Sequence, residues 1–132
     1  MPNYIGSIHV EDAEGLPLTV AETGQFLTSV KGLLTDNELA DLKVSLALNP
    51  LCGDVIPESG GIRKARWGAK GRGKRGGARV IYFFHDRDMP LYLLAAYAKS
   101  EKVNISAHER AQMRKFVRDL MAEYRSKRLK VS

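Results

Sequence analysis

The chain has 132 residues, of which 44% are hydrophobic, with one cysteine and a formal net charge of +6. A chain of this size and composition can fold as one domain without disulfides or a structural metal. A single cysteine excludes an internal disulfide, and a reduced thiol favours the cytoplasm over secretion. The uncharged segments are too short to span a membrane and no apolar leader opens the chain. We therefore expect a cytoplasmic protein that does not contact membranes.

The beginning of the chain predicts two strands and a helix. Ile8 and Val10 alternate with polar residues and predict a short strand, and residues 16–22 predict a second one across an acidic turn. Apolar residues at helical spacing then predict a helix over about residues 25–34. These elements belong to the acidic part of the chain, because residues 1–60 carry 2 basic and 9 acidic side chains.

A second helix follows the first. Thr35 and Glu38 have the spacing of a capping box, in which each side chain accepts a hydrogen bond from the backbone amide of the other residue. The helix must end near Asn49, because Pro50 disfavours helical geometry at the residue before it. Residues 50–61 are rich in Pro and Gly and predict a connecting loop.

The second half of the chain predicts a sheet and a long helix. Residues 62–67, 78–84 and 91–98 predict three antiparallel strands, and a glycine-rich basic loop at 68–77 joins the first two. A second capping box at 106–109 begins a helix with one apolar face. The sequence therefore predicts an α+β domain. Two N-terminal helices pack on an antiparallel sheet of three to five strands, and a C-terminal amphipathic helix follows.

Positive charge is concentrated in this second half. Residues 61–132 carry 19 basic and 6 acidic side chains, and between residues 62 and 79 eight of eighteen positions are basic and none is acidic. A field of one sign attracts polyanions, nucleic acid first among them. A solvated charged surface is the alternative interpretation.

Five side chains in the strands form a candidate site. Alternation puts Lys64 and Arg66 on one face of the sheet, Arg79 begins the neighbouring strand, and Tyr97 and Lys99 share a face of the third. If the helices cover the other face, these side chains meet on the open one. No histidine or cysteine cluster has metal-ligand spacing and no nucleotide-binding motif is present, so we expect neither a metal nor a cofactor.

Such a cluster suits cleavage of an RNA phosphodiester by the adjacent 2′-hydroxyl. Arginine matches phosphate oxygens with two parallel hydrogen bonds. Lysines crowded among other cations have lowered pKa values, which favours proton transfer near neutral pH. An aromatic side chain can stack on an unpaired base, a contact worth about 1 to 3 kcal/mol.

The succession of GGIRKARW, a glycine-rich basic loop and GGARVIY, with AKSEK further on, resembles the RelE/ParE superfamily of bacterial type II toxins, and specifically its HigB-like branch. The resemblance covers residues 18–124. We accordingly divide the chain into an N-terminal extension (residues 1–17), a RelE-like toxin domain (residues 18–125) and a basic tail (residues 126–132).

The resemblance implies a function and partners. HigB-like toxins are ribosome-dependent endoribonucleases, or mRNA interferases, which cut mRNA in the decoding site and thereby inhibit translation. Each is silenced by a cognate antitoxin, often a helix-turn-helix protein. The implied partners are therefore the ribosome, mRNA and an antitoxin, and operator DNA only through that antitoxin.

The resemblance also assigns residues. The family's RNA-facing and phosphate-binding positions match Lys64, Arg66, Arg79 and Lys99. Ser100 and a residue near Ser106 stand where RelE itself has an arginine and a tyrosine, so other side chains must protonate the leaving group and stack on the base; the candidates are Tyr97, Tyr82, Lys102 and His85. The predicted catalytic set is Lys64, Arg66, Arg79, Lys99 and Tyr97, and the predicted RNA- and ribosome-binding set is Arg63, Lys70, Arg72, Lys74, Arg75, Lys102 and Arg114.

Two other functions stay open at this point. The ParE branch shares the fold and inhibits DNA gyrase without cleaving RNA. A basic RNA-binding module without toxicity is the third possibility. The glycine-rich basic loop favours the nuclease over the gyrase inhibitor, because binding to gyrase needs no phosphate cradle.

Overall fold

The structure is a computed structural model of the chain. It describes the backbone of residues 4–11, 17–68, 77–102 and 104–131, and the side chains of residues 18–68, 77–102 and 104–127. In this part of the chain the strands are β1 (Tyr4–Glu11), β2 (Pro17–Thr23), β3 (Asp54–Val55), β4 (Arg63–Trp67), β5 (Ala78–Phe83) and β6 (Leu91–Ala98). The helices described are α1 (Gly24–Val30), α2 (Asp36–Leu48) and α3 (Ala107–Val131).

The strands form one sheet in the order β1-β2-β6-β5-β4-β3. Neighbouring strands are antiparallel except β2 and β6, which are parallel. The predicted α+β class is confirmed, but the sheet is mixed because β2 pairs with the last strand of the meander. The edge strand β3 lies inside the predicted loop, and its two residues are too few to show an alternating pattern.

The first helix is short for a local reason. The Thr23 hydroxyl accepts from the Phe26 amide at 3.2 Å and donates to the Leu93 carbonyl at 2.9 Å, so it caps α1 and ties the helix start to β6. The helix ends at Val30, earlier than predicted, and Gly32 adopts a φ of 72°. A glycine in the left-handed region ends a helix at little steric cost.

Helices α1 and α2 cover one face of the sheet. The capping box predicted at the start of α2 is present, with the Thr35 amide 2.8 Å from Glu38 Oε1 and the Glu38 amide 3.1 Å from Thr35 Oγ1. Apolar side chains of the two helices and of the strands beneath them form a buried cluster. Burying a large apolar side chain contributes about 1.5 to 3 kcal/mol, so this cluster is a main source of stability. Its members include Phe26, Val30, Leu42 and Leu46 from the helices and Val20, Val80, Tyr82, Leu91 and Leu93 from the strands.

Helix α3 packs on the opposite face. Its apolar stripe contacts apolar residues of β5 and β6, and the rings of Phe116 and Tyr92 meet edge to face with centroids 5.9 Å apart. The sequence predicted that the sheet face opposite α1 and α2 is open to solvent. This is wrong where α3 covers β5 and β6, because the apolar stripe of α3 needs an apolar partner. Residues 126–131 of the predicted tail continue this helix. None of the helices in the described ranges combines the length and hydrophobicity that a membrane span requires.

Candidate active site

The register of β4, β5 and β6 places three predicted site residues in one row across the sheet. Arg66 is the direct partner of Arg79, and Arg79 is the direct partner of Tyr97. Side chains directly opposite each other on antiparallel strands share a face, with Cβ atoms about 5 Å apart. Lys64 lies on the same face, two residues before Arg66. The row faces the α3 side of the sheet.

The two arginines of the row have different surroundings. Arg66 is exposed, whereas Arg79 is only 6% exposed and its guanidinium donates to the Ala78 carbonyl at 3.2 Å. Like charges directly opposite each other destabilise a sheet. Neutralisation by an anion, such as a phosphate bridging the two guanidinium groups, would relieve this repulsion.

Tyr97 lies at the end of the row in a charged environment. Its side chain is 6% exposed and the Lys102 ammonium lies over the ring, 5.0 Å from the centroid. Burial raises the pKa of the phenol above its ordinary value of 10.0; the nearby positive charge of Arg79 opposes this rise and the carboxylate of Glu109 reinforces it. The phenol therefore keeps its proton at neutral pH, and Lys102 occupies a position over the ring that a stacked base would take.

Glu109 connects the start of α3 to this environment. Its Oε1 accepts from the Ser106 amide at 2.9 Å while its own amide donates to Ser106 Oγ at 3.0 Å, so the predicted second capping box is present. The same carboxylate pairs with Lys102 Nζ, at 2.9 and 3.0 Å. The Ser106 amide lowers the pKa of Glu109 below its ordinary value, although partial burial raises it, and Lys102 lowers it further.

Glu109 was not among the predicted site residues. The sequence pattern identifies it as a helix cap, and nothing in that pattern indicates its second role beside Tyr97. Ser106 has a structural role as the helix cap. Ser100, the other position at which the sequence was expected to differ from RelE, is exposed and follows Lys99 in the chain.

Lys64 and Lys99 border the row. Lys64 Nζ donates to Asn104 Oδ1 at 2.9 Å, in the segment that leads to α3. Lys99 follows β6 directly, its amide donates to the Gly77 carbonyl at 3.1 Å and its side chain is exposed. Lys99 therefore lies at the same end of the sheet as Arg79.

Three other candidates lie apart from the row. Arg63 is on the opposite face, where its guanidinium donates to the Gly53 carbonyl at 2.7 Å. Tyr82 is fully buried on that face. His85 follows the far end of β5, about 20 Å from Arg79 at strand rise per residue, and its ring packs edge to face on Tyr124. Of the four candidates, the geometry thus leaves Tyr97, which is in the row, and Lys102, which lies over its ring.

The remaining predicted binding residues are Arg114 and four residues of the loop between β4 and β5. Arg114 lies on α3 and donates to the Glu58 carbonyl at 3.2 Å. Lys70, Arg72, Lys74 and Arg75 belong to the loop between β4 and β5 and lie outside the described residues. Within the described residues, no cluster of His, Cys, Asp and Glu is arranged to hold a metal ion.

The fold is that of a small single α+β domain, and two arginines and a tyrosine lie in one row across its sheet. The family model described as the RelE toxin of the RelE / RelB toxin-antitoxin system matches residues 31–131 of the chain. The chain therefore belongs to the RelE toxin family, which confirms the superfamily that the sequence resembles. Membership implies a cognate antitoxin as partner.

Proposed function

We propose that this toxin is an endoribonuclease that cleaves mRNA in the decoding site of the ribosome, as in the HigB-like branch of the superfamily. The observation that carries the proposal is the cross-strand row of Arg66, Arg79 and Tyr97. It places two arginines on neighbouring strands, directly opposite each other, with Tyr97 on the next strand.

In this proposal the scissile phosphate lies between Arg66 and Arg79. The 2′-hydroxyl attacks the phosphorus, its proton is removed, and the bond to the 5′-oxygen breaks as that oxygen is protonated. The products are a 2′,3′-cyclic phosphate and a free 5′-hydroxyl. Two guanidinium groups stabilise the negative charge that accumulates on the pentacovalent phosphorus in the transition state.

Proton transfer is assigned to the groups that border the phosphate position. Lys64, Lys99 and Tyr97 carry exchangeable protons, and the Tyr97 phenol, whose pKa burial raises above 10.0, is protonated at neutral pH. A proton donor that is held in place rather than supplied by water accelerates departure of the 5′-oxygen. Lys102 and Glu109 act on Tyr97 through the ion pair that places the ammonium over its ring.

Dependence on the ribosome is supported by the charge distribution. The basic residues of the chain are concentrated after residue 60, and eight of them fall between residues 62 and 79. Each phosphate contact releases bound counterions, which makes binding to a ribosomal RNA surface strong and salt-dependent. A partner that covers this surface would silence the toxin without touching the catalytic groups, which is the effect expected of an antitoxin.

The proposal is tested by inducing the protein in cells and mapping new 5′-hydroxyl ends on a reporter mRNA. We expect ends inside the translated region, and we expect them to disappear when the start codon of the same reporter is removed. Arg79→Ala should abolish both the ends and growth arrest. New ends on the untranslated reporter would exclude ribosome dependence.

The two alternative functions give different results in the same cells. Growth arrest with cleaved DNA and without new mRNA ends would indicate inhibition of gyrase. Binding to RNA without arrest and without new ends would indicate a non-catalytic RNA-binding module. Either result would overturn the nuclease proposal.

A further inference from the structure

Lys102 makes two contacts of different kinds. Its ammonium lies over the Tyr97 ring, 5.0 Å from the centroid, and pairs with the Glu109 carboxylate at 2.9 and 3.0 Å. Both charged side chains are partly exposed, Lys102 to 37% and Glu109 to 29%. An ion pair that solvent reaches contributes little to stability, so a competing anion can open this pair at low cost.

The backbone places Lys102 beside the row. Lys102 follows β6 after a short turn, in which the amides of Glu101 and Lys102 donate to the Ala98 carbonyl at 3.0 and 3.3 Å. Tyr97 is the direct cross-strand partner of Arg79, so its ring lies next to the proposed phosphate position. Lysine carries its charge on a flexible stem, and the ammonium can therefore reach a phosphate of an RNA chain bound along the row.

Glu109 keeps a second partner when Lys102 moves. Its Oε1 also accepts from the Ser106 amide at 2.9 Å, and its own amide donates to Ser106 Oγ at 3.0 Å. The hydrogen bond from the Ser106 amide lowers the pKa of Glu109 more than the Lys102 ammonium does. The carboxylate therefore stays charged and in place without Lys102, and it can receive the ammonium again.

The ammonium and a stacked base compete for one position. Tyr97 is 6% exposed, and on the side that Lys102 covers a base can stack only after the ammonium has moved. RNA brings a phosphate with each base, and a charged hydrogen bond to phosphate replaces the one to Glu109. We propose that Lys102 is a gate: Glu109 holds its ammonium over Tyr97 before RNA binds, and an RNA phosphate takes it from Glu109 as a base stacks on the ring.

This inference rests on the proposed nuclease function, and the experiment is chosen so that the two fail separately. The probe is a single-stranded oligoribonucleotide with methylated 2′-hydroxyls, which the toxin can bind but not cut. Lys102→Met removes the charge and keeps an unbranched side chain, and Glu109→Gln removes the competing charge and keeps the helix cap. Dissociation constants are measured at one salt concentration for the wild type, both single variants and the double variant.

The gate predicts that the two substitutions are coupled. Glu109→Gln should bind the probe about threefold more tightly than the wild type, because the RNA no longer competes with a carboxylate for Lys102. Lys102→Met should bind it more weakly. In the Lys102→Met background, Glu109→Gln should gain no more than Glu101→Gln does, a matched control because Glu101 is exposed in the same turn. An equal gain from Glu109→Gln with and without Lys102 would overturn the gate.

The position of Lys102 is followed by NMR in the same samples. Side-chain protons of Lys102 near the Tyr97 ring resonate upfield because of the ring current, and Tyr97→Leu identifies this shift by removing it. We expect the probe to abolish the shift in the wild type. A shift that persists at saturating probe, or a probe that does not bind, would reject the gate. Loss of the shift in a toxin that cuts no message would leave the gate standing and reject the nuclease.

Steady-state cleavage on programmed ribosomes tests the return of Lys102 to Glu109. Glu109→Gln should lower KM and kcat together, because the RNA is held more tightly and the ammonium is not taken back from the product. Lys102→Met should raise KM. A lower kcat for Glu109→Gln with an unchanged or higher KM would show that Glu109 has only a structural role, and the gate would be wrong.

Discussion

The two faces of the sheet carry polar residues of the same types, but these residues have different partners. On the face of α1 and α2 the Tyr82 hydroxyl donates to the Pro50 carbonyl at 2.8 Å and accepts from the Gly53 amide at 2.9 Å. Arg63 donates to the carbonyl of Gly53. These partners are backbone groups, so the contacts fasten the loop before β3 to the sheet.

On the α3 face the corresponding tyrosine, Tyr97, meets a charged side chain. The Tyr97 ring lies under the Lys102 ammonium, and Lys102 is paired with Glu109. Side-chain ions can exchange partners when a charged ligand enters, whereas backbone groups held in the fold cannot. The polar residues on the first face fasten the loop, and we propose that those on the second face contact the substrate.

The largest effect is expected from Arg79→Ala. Loss of a contact made mainly in the transition state costs about 3 to 4 kcal/mol, or a few hundredfold in the rate of mRNA cleavage on programmed ribosomes. Arg79→Lys should recover only part of the rate, because lysine keeps the positive charge but cannot donate two parallel hydrogen bonds to a phosphate. Arg118→Ala, an exposed arginine of α3, is the control and should keep the rate. Full toxicity of Arg79→Ala would place the active site elsewhere.

Tyr82→Phe should have the opposite consequence. It removes the hydroxyl that joins Pro50 and Gly53 and leaves the buried Gly53 amide and the half-buried Pro50 carbonyl without this partner, which costs about 1 to 3 kcal/mol in the free energy of unfolding. Cleavage per folded molecule should not change. Denaturant unfolding and an activity assay well below the melting temperature check both points. A loss of activity without a loss of stability would remove the distinction between the faces.

Arg63 and Lys64 provide a smaller test, because they are adjacent in β4 and point to opposite faces. Arg63→Ala should lower the free energy of unfolding by about 1 kcal/mol and leave ribosome affinity unchanged. Lys64→Ala should weaken binding and reduce the dependence of log K on log salt by about 0.7 to 0.9, the contribution of one phosphate contact. Equal salt slopes for the two variants would contradict this assignment and restore the sequence-based prediction that Arg63 binds RNA.

Local patterns predicted most of the fold. Capping boxes at Thr35 and Ser106 located two helix starts, because that motif depends only on residues three positions apart. Alternation in β4 predicted that Lys64 and Arg66 share a face. The pairing of β2 with β6 was not predictable in this way, since it joins segments about 70 residues apart and depends on how the two core clusters close.

The site was predictable only in part for the same reason. Residues on adjacent strands could be placed together because the meander is local in sequence. The face of the sheet on which α3 packs could not be predicted. The position of α3 decides the burial of Tyr97 and brings Glu109 beside Lys102.

The smallest effect compares two capping boxes that look alike in the sequence. Glu38 closes the cap of α2, whereas Glu109 closes the cap of α3 and also pairs with Lys102. Glutamine supports a capping box as glutamate does, so Glu109→Gln keeps the cap and removes the charge. We expect a modest fall in cleavage rate and a changed dependence of that rate on pH, because the ammonium above Tyr97 loses its partner. Glu38→Gln should leave both unchanged.

The pH dependence of stability tests the same pair. The pKa of Glu109 is lower in the folded protein than its ordinary value of 4.5. A carboxyl of this kind stabilises the fold above its unfolded pKa, and the stabilisation is lost as the pH falls through the folded value. Denaturant unfolding should therefore show wild type and Glu109→Gln furthest apart near neutral pH and converging below about pH 4. A gap that stays constant down to pH 3 would mean that the charge of Glu109 does not stabilise the fold, and the pair with Lys102 would then have no part in holding the ammonium over Tyr97.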